Sequence, residues 1–119
     1  MAKNDMEVIM YKILRYLYDC SKEGKRPCEE DFGYSSRLLG DVPKAYWELV
    51  IEELVSHGLV KGVYIGPQTK DERAINASEA KITFDGVQFL EENSRMQEAR
   101  NFAGKAFETV LASIIAALA

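Results

Sequence analysis

The sequence is poor in the residues most chemistries need. Its 119 residues include one histidine, two cysteines and three prolines. The single histidine, His57, excludes a centre built from several imidazoles, and it falls in the last turn of an expected helix, where the dipole favours a cation. Cys20 and Cys28 are eight residues apart with no histidine beside them. Structural zinc draws four ligands in paired short spacings, so the pair reads as two reduced thiols and no metal site is expected. A glycine-rich phosphate loop, a nucleophile motif and paired metal ligands are all missing, which points to a non-enzyme without a cofactor. There is no basic excess either: 15 lysines and arginines stand against 19 acidic residues, for a net charge of −4. That balance opposes a free-standing nucleic-acid binder, whose surface is basic overall, but leaves a local basic patch open. Long apolar runs are absent too. The uncharged end VLASIIAALA is too short to span a bilayer, and MAKNDMEVIM has no apolar region of secretory length, so a cytoplasmic location is expected.

What is present suits one soluble globular domain, with apolar residues at 47% and charged residues at 29%. The organising stretch is Asp41 to Gly62, DVPKAYWELVIEELVSHGLVKG. Asp41 is a candidate cap, Pro43 suits the first turn, and Trp47, Val50, Ile51 and Leu54 recur at helical spacing. Gly58 supplies the left-handed residue that stops the helix, and a strand is expected from Leu59 to Ile65.

Before it, Asn4 or Asp5 opens a first helix running to about Lys22, with Met6, Ile9, Met10, Ile13, Leu14 and Leu17 on its inner face. Pro27-Cys28-Glu29 is a short strand or connector, and Glu29-Glu30-Asp31 reads as a solvated loop. Ser35–Gly40 has the pattern of a short second helix, which with the next helix makes a helix-turn-helix. After it, the strand leads into a polar loop of roughly 14 residues, and a second strand returns at about Ala80–Thr83. Thr83 caps a fourth helix in which Gly86 allows a close approach, with Val87, Phe89 and Leu90 buried. Arg95 to Ala119 is a last helix.

These elements predict an α+β, mainly α chain: a winged helix-turn-helix of three helices and a two- or three-stranded wing, with additional C-terminal helices. Residues 1–94 form the winged-helix domain, and residues 95–119 form a C-terminal helix for packing or oligomerisation.

Tyr46-Trp47, Glu52-Glu53-Leu54, Gly58-Leu59-Val60-Lys61-Gly62-Val63 and Ile82-Thr83-Phe84-Asp85-Gly86-Val87-Gln88-Phe89-Leu90-Glu91-Glu92-Asn93-Ser94 together resemble the YjcQ-like family of small, phage- and prophage-associated winged-helix proteins. The resemblance covers roughly residues 5 to 100. It implies a winged helix with an added C-terminal helix and carries no catalytic residues.

Two functions follow as expectations. In the first, a DNA-binding regulator of phage type places its third helix in the major groove and flanks the backbone with a basic wing. Arg37, Lys44, Lys61, Lys70, Arg73 and Lys81 are its candidate DNA contacts. The outer face of that helix offers Lys44, Glu48, Glu52 and His57, and carboxylates there repel phosphate. In the second, the winged helix is a protein-interaction module that does not bind DNA. The tail is apolar on nearly every face, which suggests a homodimer through residues 100–118, with Phe102, Phe107, Val110, Leu111, Ile114, Ile115 and Leu118 at the interface. The alternative is that it folds back on the first helix.

Overall fold

A computed structural model describes residues 1–69 and 72–118, the side chains at 68, 69, 72 and 73 excepted. The chain is α+β and mainly helical. The order is α1 (Met6–Lys22), a 3-10 turn (Glu29–Phe32), α2 (Lys44–Ser56), β1 (Val60–Lys61), β2 (Tyr64–Thr69), β3 (Glu72–Asn76), β4 (Lys81–Ile82), α3 (Phe84–Glu92) and α4 (Ser94–Ala116).

Helix α1 is the centre of the core. Beyond the predicted stripe, Val8, Tyr11, Tyr16 and Cys20 are buried as well. A helix buried on most of its circumference needs neighbours on several sides, and α1 packs against α4, β4, α3 and α2. Tyr16 places its one polar atom usefully: the hydroxyl accepts from the Cys28 amide at 2.9 Å and donates to Asp31 at 2.9 Å. The expected loop at Glu29–Asp31 is thereby wound into a 3-10 turn and fastened to α1.

In α2, Trp47, Val50, Ile51 and Leu54 are buried as their spacing predicts. Its N-cap is Pro43 without a side-chain bond, so Asp41 does not cap it. At the other end the Leu59 amide reaches the Leu54 carbonyl at 2.9 Å and the Gly58 amide reaches Val55 at 3.0 Å. Those two bonds, with Gly58 at φ 70°, form a Schellman stop that aims the chain straight into β1.

The expected second helix at Ser35–Gly40 is not formed as a helix. Ser36 caps one turn, its hydroxyl accepting from the Leu39 amide and its carbonyl from the Gly40 amide. Six residues gain too few internal bonds to offset nucleation, so the segment stays a turn that buries Leu38 and Leu39.

The long polar loop is also corrected. β2 and β3 form an antiparallel hairpin, with Ile65 opposite Ile75 and Gln68 opposite Arg73. The register slips between those pairs, and Pro67, which has no amide to donate, sits inside the slip. β1 and β4 pair at the base of this ribbon, Val60 opposite Ile82 and Lys61 opposite Lys81.

Thr83 joins the ribbon to α3. Its hydroxyl donates to the Gly58 carbonyl at 2.6 Å and accepts from the Gly86 amide at 2.9 Å, and its own amide donates to the Leu59 carbonyl at 3.0 Å. A Cβ on Gly86 would lie 2.2 Å from the Leu59 oxygen, so glycine is what lets α3 cross β1 here. The predicted close approach of Gly86 is therefore made, and made against backbone. In α3, Leu90 is buried and Phe89 packs against the core from a partly buried position.

Asn93 caps α4, accepting from the Arg95 and Met96 amides. The helix breaks at Gly104, whose φ of 65° and ψ of −162° belong to glycine alone. The break lets the second half lie along α1. Phe107, Leu111 and Ile115 are buried in the chain itself, Val110, Ile114 and Leu118 pack partly buried against the core, and only Phe102 stays exposed, at 45%. Within the chain the apolar tail therefore folds back on α1, the alternative to pairing between subunits. Arg15 clamps the contact with two bonds to Glu108, at 2.7 and 3.0 Å. No helix among the described residues is long and apolar enough to cross a membrane.

Candidate recognition surface

Among the described residues, the cations expected to hold a duplex fall in three places: the Lys61–Lys81 pair, Arg37 and Lys44. Lys61 and Lys81 do meet, directly opposite each other on β1 and β4, and both are exposed. Like charges facing across a strand pair are unfavourable, and neither has an ion-pair partner among the described residues. Arg37 lies elsewhere, in a depression shared with Glu30, Asp31, Ser113 and Ala117 beside the C-terminal end of α4. A cation there meets the negative end of that helix, as does Lys25, whose ammonium donates to the Ile115 carbonyl at 2.9 Å. Lys70 and the side chain of Arg73 lie outside the described residues.

Lys44 opens α2 at the edge of a cleft between the 3-10 turn, the first two turns of α2, and β3. The cleft is about 570 Å³. Its apolar walls are Tyr34, Trp47, Ala74 and Ile75, and its charged groups are Glu29, Glu30, Glu48 and Lys44. Trp47 is pinned, its indole N–H donating to the Phe32 carbonyl at 2.9 Å. Tyr34 stands edge-on to it, the ring centres 5.9 Å apart, and is 39% exposed. Among the described side chains, three acidic residues and one lysine therefore line the cleft with an aromatic pair.

The sequence contained these residues but not their meeting. Glu29 and Glu30 read as part of a solvated loop, Glu48 as an outer-face charge, and Trp47 as one position of an apolar stripe. The 3-10 turn and the β2–β3 hairpin bring them together, and those are the two elements the sequence pattern did not reveal.

Cys20, Cys28 and His57 do not line this cleft. The Cys20 thiol is buried and burial pushes it up to about 11, so it stays protonated at neutral pH. His57 follows the last turn of α2 as its C-cap residue, exposed, with its ring 3.1 Å from Glu53 of the preceding turn.

A family model described as YjcQ protein matches residues 11–107. The chain belongs to the YjcQ family. The match runs from the body of α1 to Phe107 on α4, so the ribbon, the cleft and the Thr83–Gly86 joint all lie inside it. No curated protein and no solved structure gives a significant match.

Proposed function

We propose that this YjcQ-family chain is a winged helix-turn-helix whose recognition helix serves a protein partner instead of duplex DNA. The winged-helix reading rests on element order. α1, the wound segment from Glu29 to Gly40, α2 and the β1–β4 ribbon with its β2–β3 hairpin follow one another as helix, short helical segment, helix and wing. In a duplex reader of this type α2 enters the major groove.

One observation carries the choice of partner: among the described side chains, Glu29, Glu30 and Glu48 line the cleft at the start of α2, with Lys44 the one cation lining it beside them. Each carboxylate opposes the counterion release that drives duplex binding. The chain is read as non-enzymatic, since its one histidine is tied to a neighbouring carboxylate and its buried thiol is protonated.

A second reading, the phage-type DNA-binding regulator, draws support from Lys61 and Lys81. Their unpaired ammonium groups at the base of the wing would suit a phosphate. Titration of a labelled duplex at about 50 mM salt separates the two. The protein-recognition reading predicts no saturable binding. Binding that weakens with added salt and disappears in Lys61→Glu/Lys81→Glu would establish the regulator instead.

A further inference from the structure

We propose that the cleft at the start of α2 docks a basic peptide segment of a partner, seating an arginine or lysine side chain against Tyr34 and between the carboxylates. This rests on the protein-recognition reading and adds the chemistry of the occupant. The groove of about 570 Å³ is within the size range of sites that enclose a ligand group. Its apolar walls, Tyr34, Trp47 and Ile75, match the aliphatic stem of a long cationic side chain. The exposed face of Tyr34 offers a guanidinium the stacking and cation–π contact it favours.

Charge complementarity then selects the head group. Glu29, Glu30 and Glu48 have no hydrogen-bond or ion-pair partner among the described residues, so their oxygens are free to take charge-assisted bonds. An acidic or phosphorylated segment meets three like charges. A purely apolar segment would strip water from carboxylates without replacing its hydrogen bonds, which is costly. A basic segment alone satisfies both walls and rim.

The full chain titrated with a short, end-blocked arginine-rich peptide tests this, followed by calorimetry and by the fluorescence of Trp47, the only tryptophan. Saturable binding is expected, with a glutamate-rich peptide inert. Removing the rim charges in Glu29→Gln/Glu30→Gln/Glu48→Gln should weaken binding by about tenfold or more, the size of one charge-assisted hydrogen bond. Tyr34→Ala should weaken it while Tyr34→Phe retains it. Circular dichroism checks that each variant keeps its fold. Equal affinity in the glutamine variant, or no saturable binding by the native chain, overturns the basic occupant. Duplex DNA binding in the companion titration overturns the reading beneath it, so the two failures are distinct.

Discussion

Gly86→Ala is the substitution whose outcome the fold determines most sharply. On an exposed helix it would stabilise the chain by about 1 kcal/mol, since alanine is the better helix former. Here the added Cβ would lie 2.2 Å from the Leu59 carbonyl oxygen and 2.7 Å from a side-chain carbon of Ile82. The isoleucine can turn away, but the carbonyl cannot. It accepts the Thr83 amide at 3.0 Å and belongs to the residue that completes the Schellman stop of α2. Relief therefore requires α3 to move off β1, at an overpacking cost of about 3 kcal/mol. That movement also stretches the Thr83 bonds to Gly58 and Gly86, worth about 1 kcal/mol together. Set against the helix-propensity gain, the net loss is about 3 kcal/mol, a large share of the roughly 5–15 kcal/mol by which small domains are stable. Urea unfolding followed by Trp47 fluorescence reads it as a lower midpoint with an unchanged slope. Gly24→Ala is the control: its φ of 65° strains alanine, but nothing lies within 4 Å of the new Cβ. A Gly86→Ala chain as stable as the native one would refute the contact between α3 and the β1 carbonyl.

Thr83→Ala should cost about 1–2 kcal/mol in the same assay, because it removes the cap of α3 and the bond to Gly58 together. Leu111→Ala should cost about 2–5 kcal/mol, a core-cavity effect, and a protein with unchanged stability would return α4 to the role of an external arm. The Glu108 carboxyl is held below its ordinary range, chiefly by the hydrogen bond from Arg15. A depressed carboxyl adds stability that is full above its unfolded pKa of about 4.3 and is lost as pH falls through the lower folded value. Glu108→Gln should therefore lower the melting temperature modestly near neutral pH, the pair being partly exposed, and should leave it unchanged in strong acid. An equal difference at both pH values would contradict that assignment.

The helical frame was legible because its signals are local. The six-residue stripe of α1, the Trp47–Leu54 stripe of α2, and the stops and caps at Gly58 and Thr83 each act within a few residues. What was hidden depends on neighbours distant in sequence. Ser35–Gly40 carries a serine cap and a glycine stop, yet it closes only one turn, with Leu38 and Leu39 drawn into the core. Gly66-Pro67 reads as a loop because both residues weaken a strand, but a bulge in the hairpin accommodates them. The apolar tail looked as though it lacked a partner because the break at Gly104, which returns it to α1, has no signature beyond one glycine. The cleft inherits these blind spots. Its acids are contributed by the 3-10 turn and α2, its far wall by the hairpin, and no window of the sequence spans all three.

An amide-resolved titration of the isotope-labelled chain tests most directly the proposal that the start of α2 is a protein-binding surface with a preference for cations. Adding the arginine-rich peptide should shift amides of Glu29, Glu30, Tyr34, Glu48 and Ile75 together along one saturable curve, while an equal concentration of duplex DNA leaves them in place. Shifts confined to Lys61, Lys81 and their strand neighbours on adding duplex, with the cleft silent toward peptide, would contradict it.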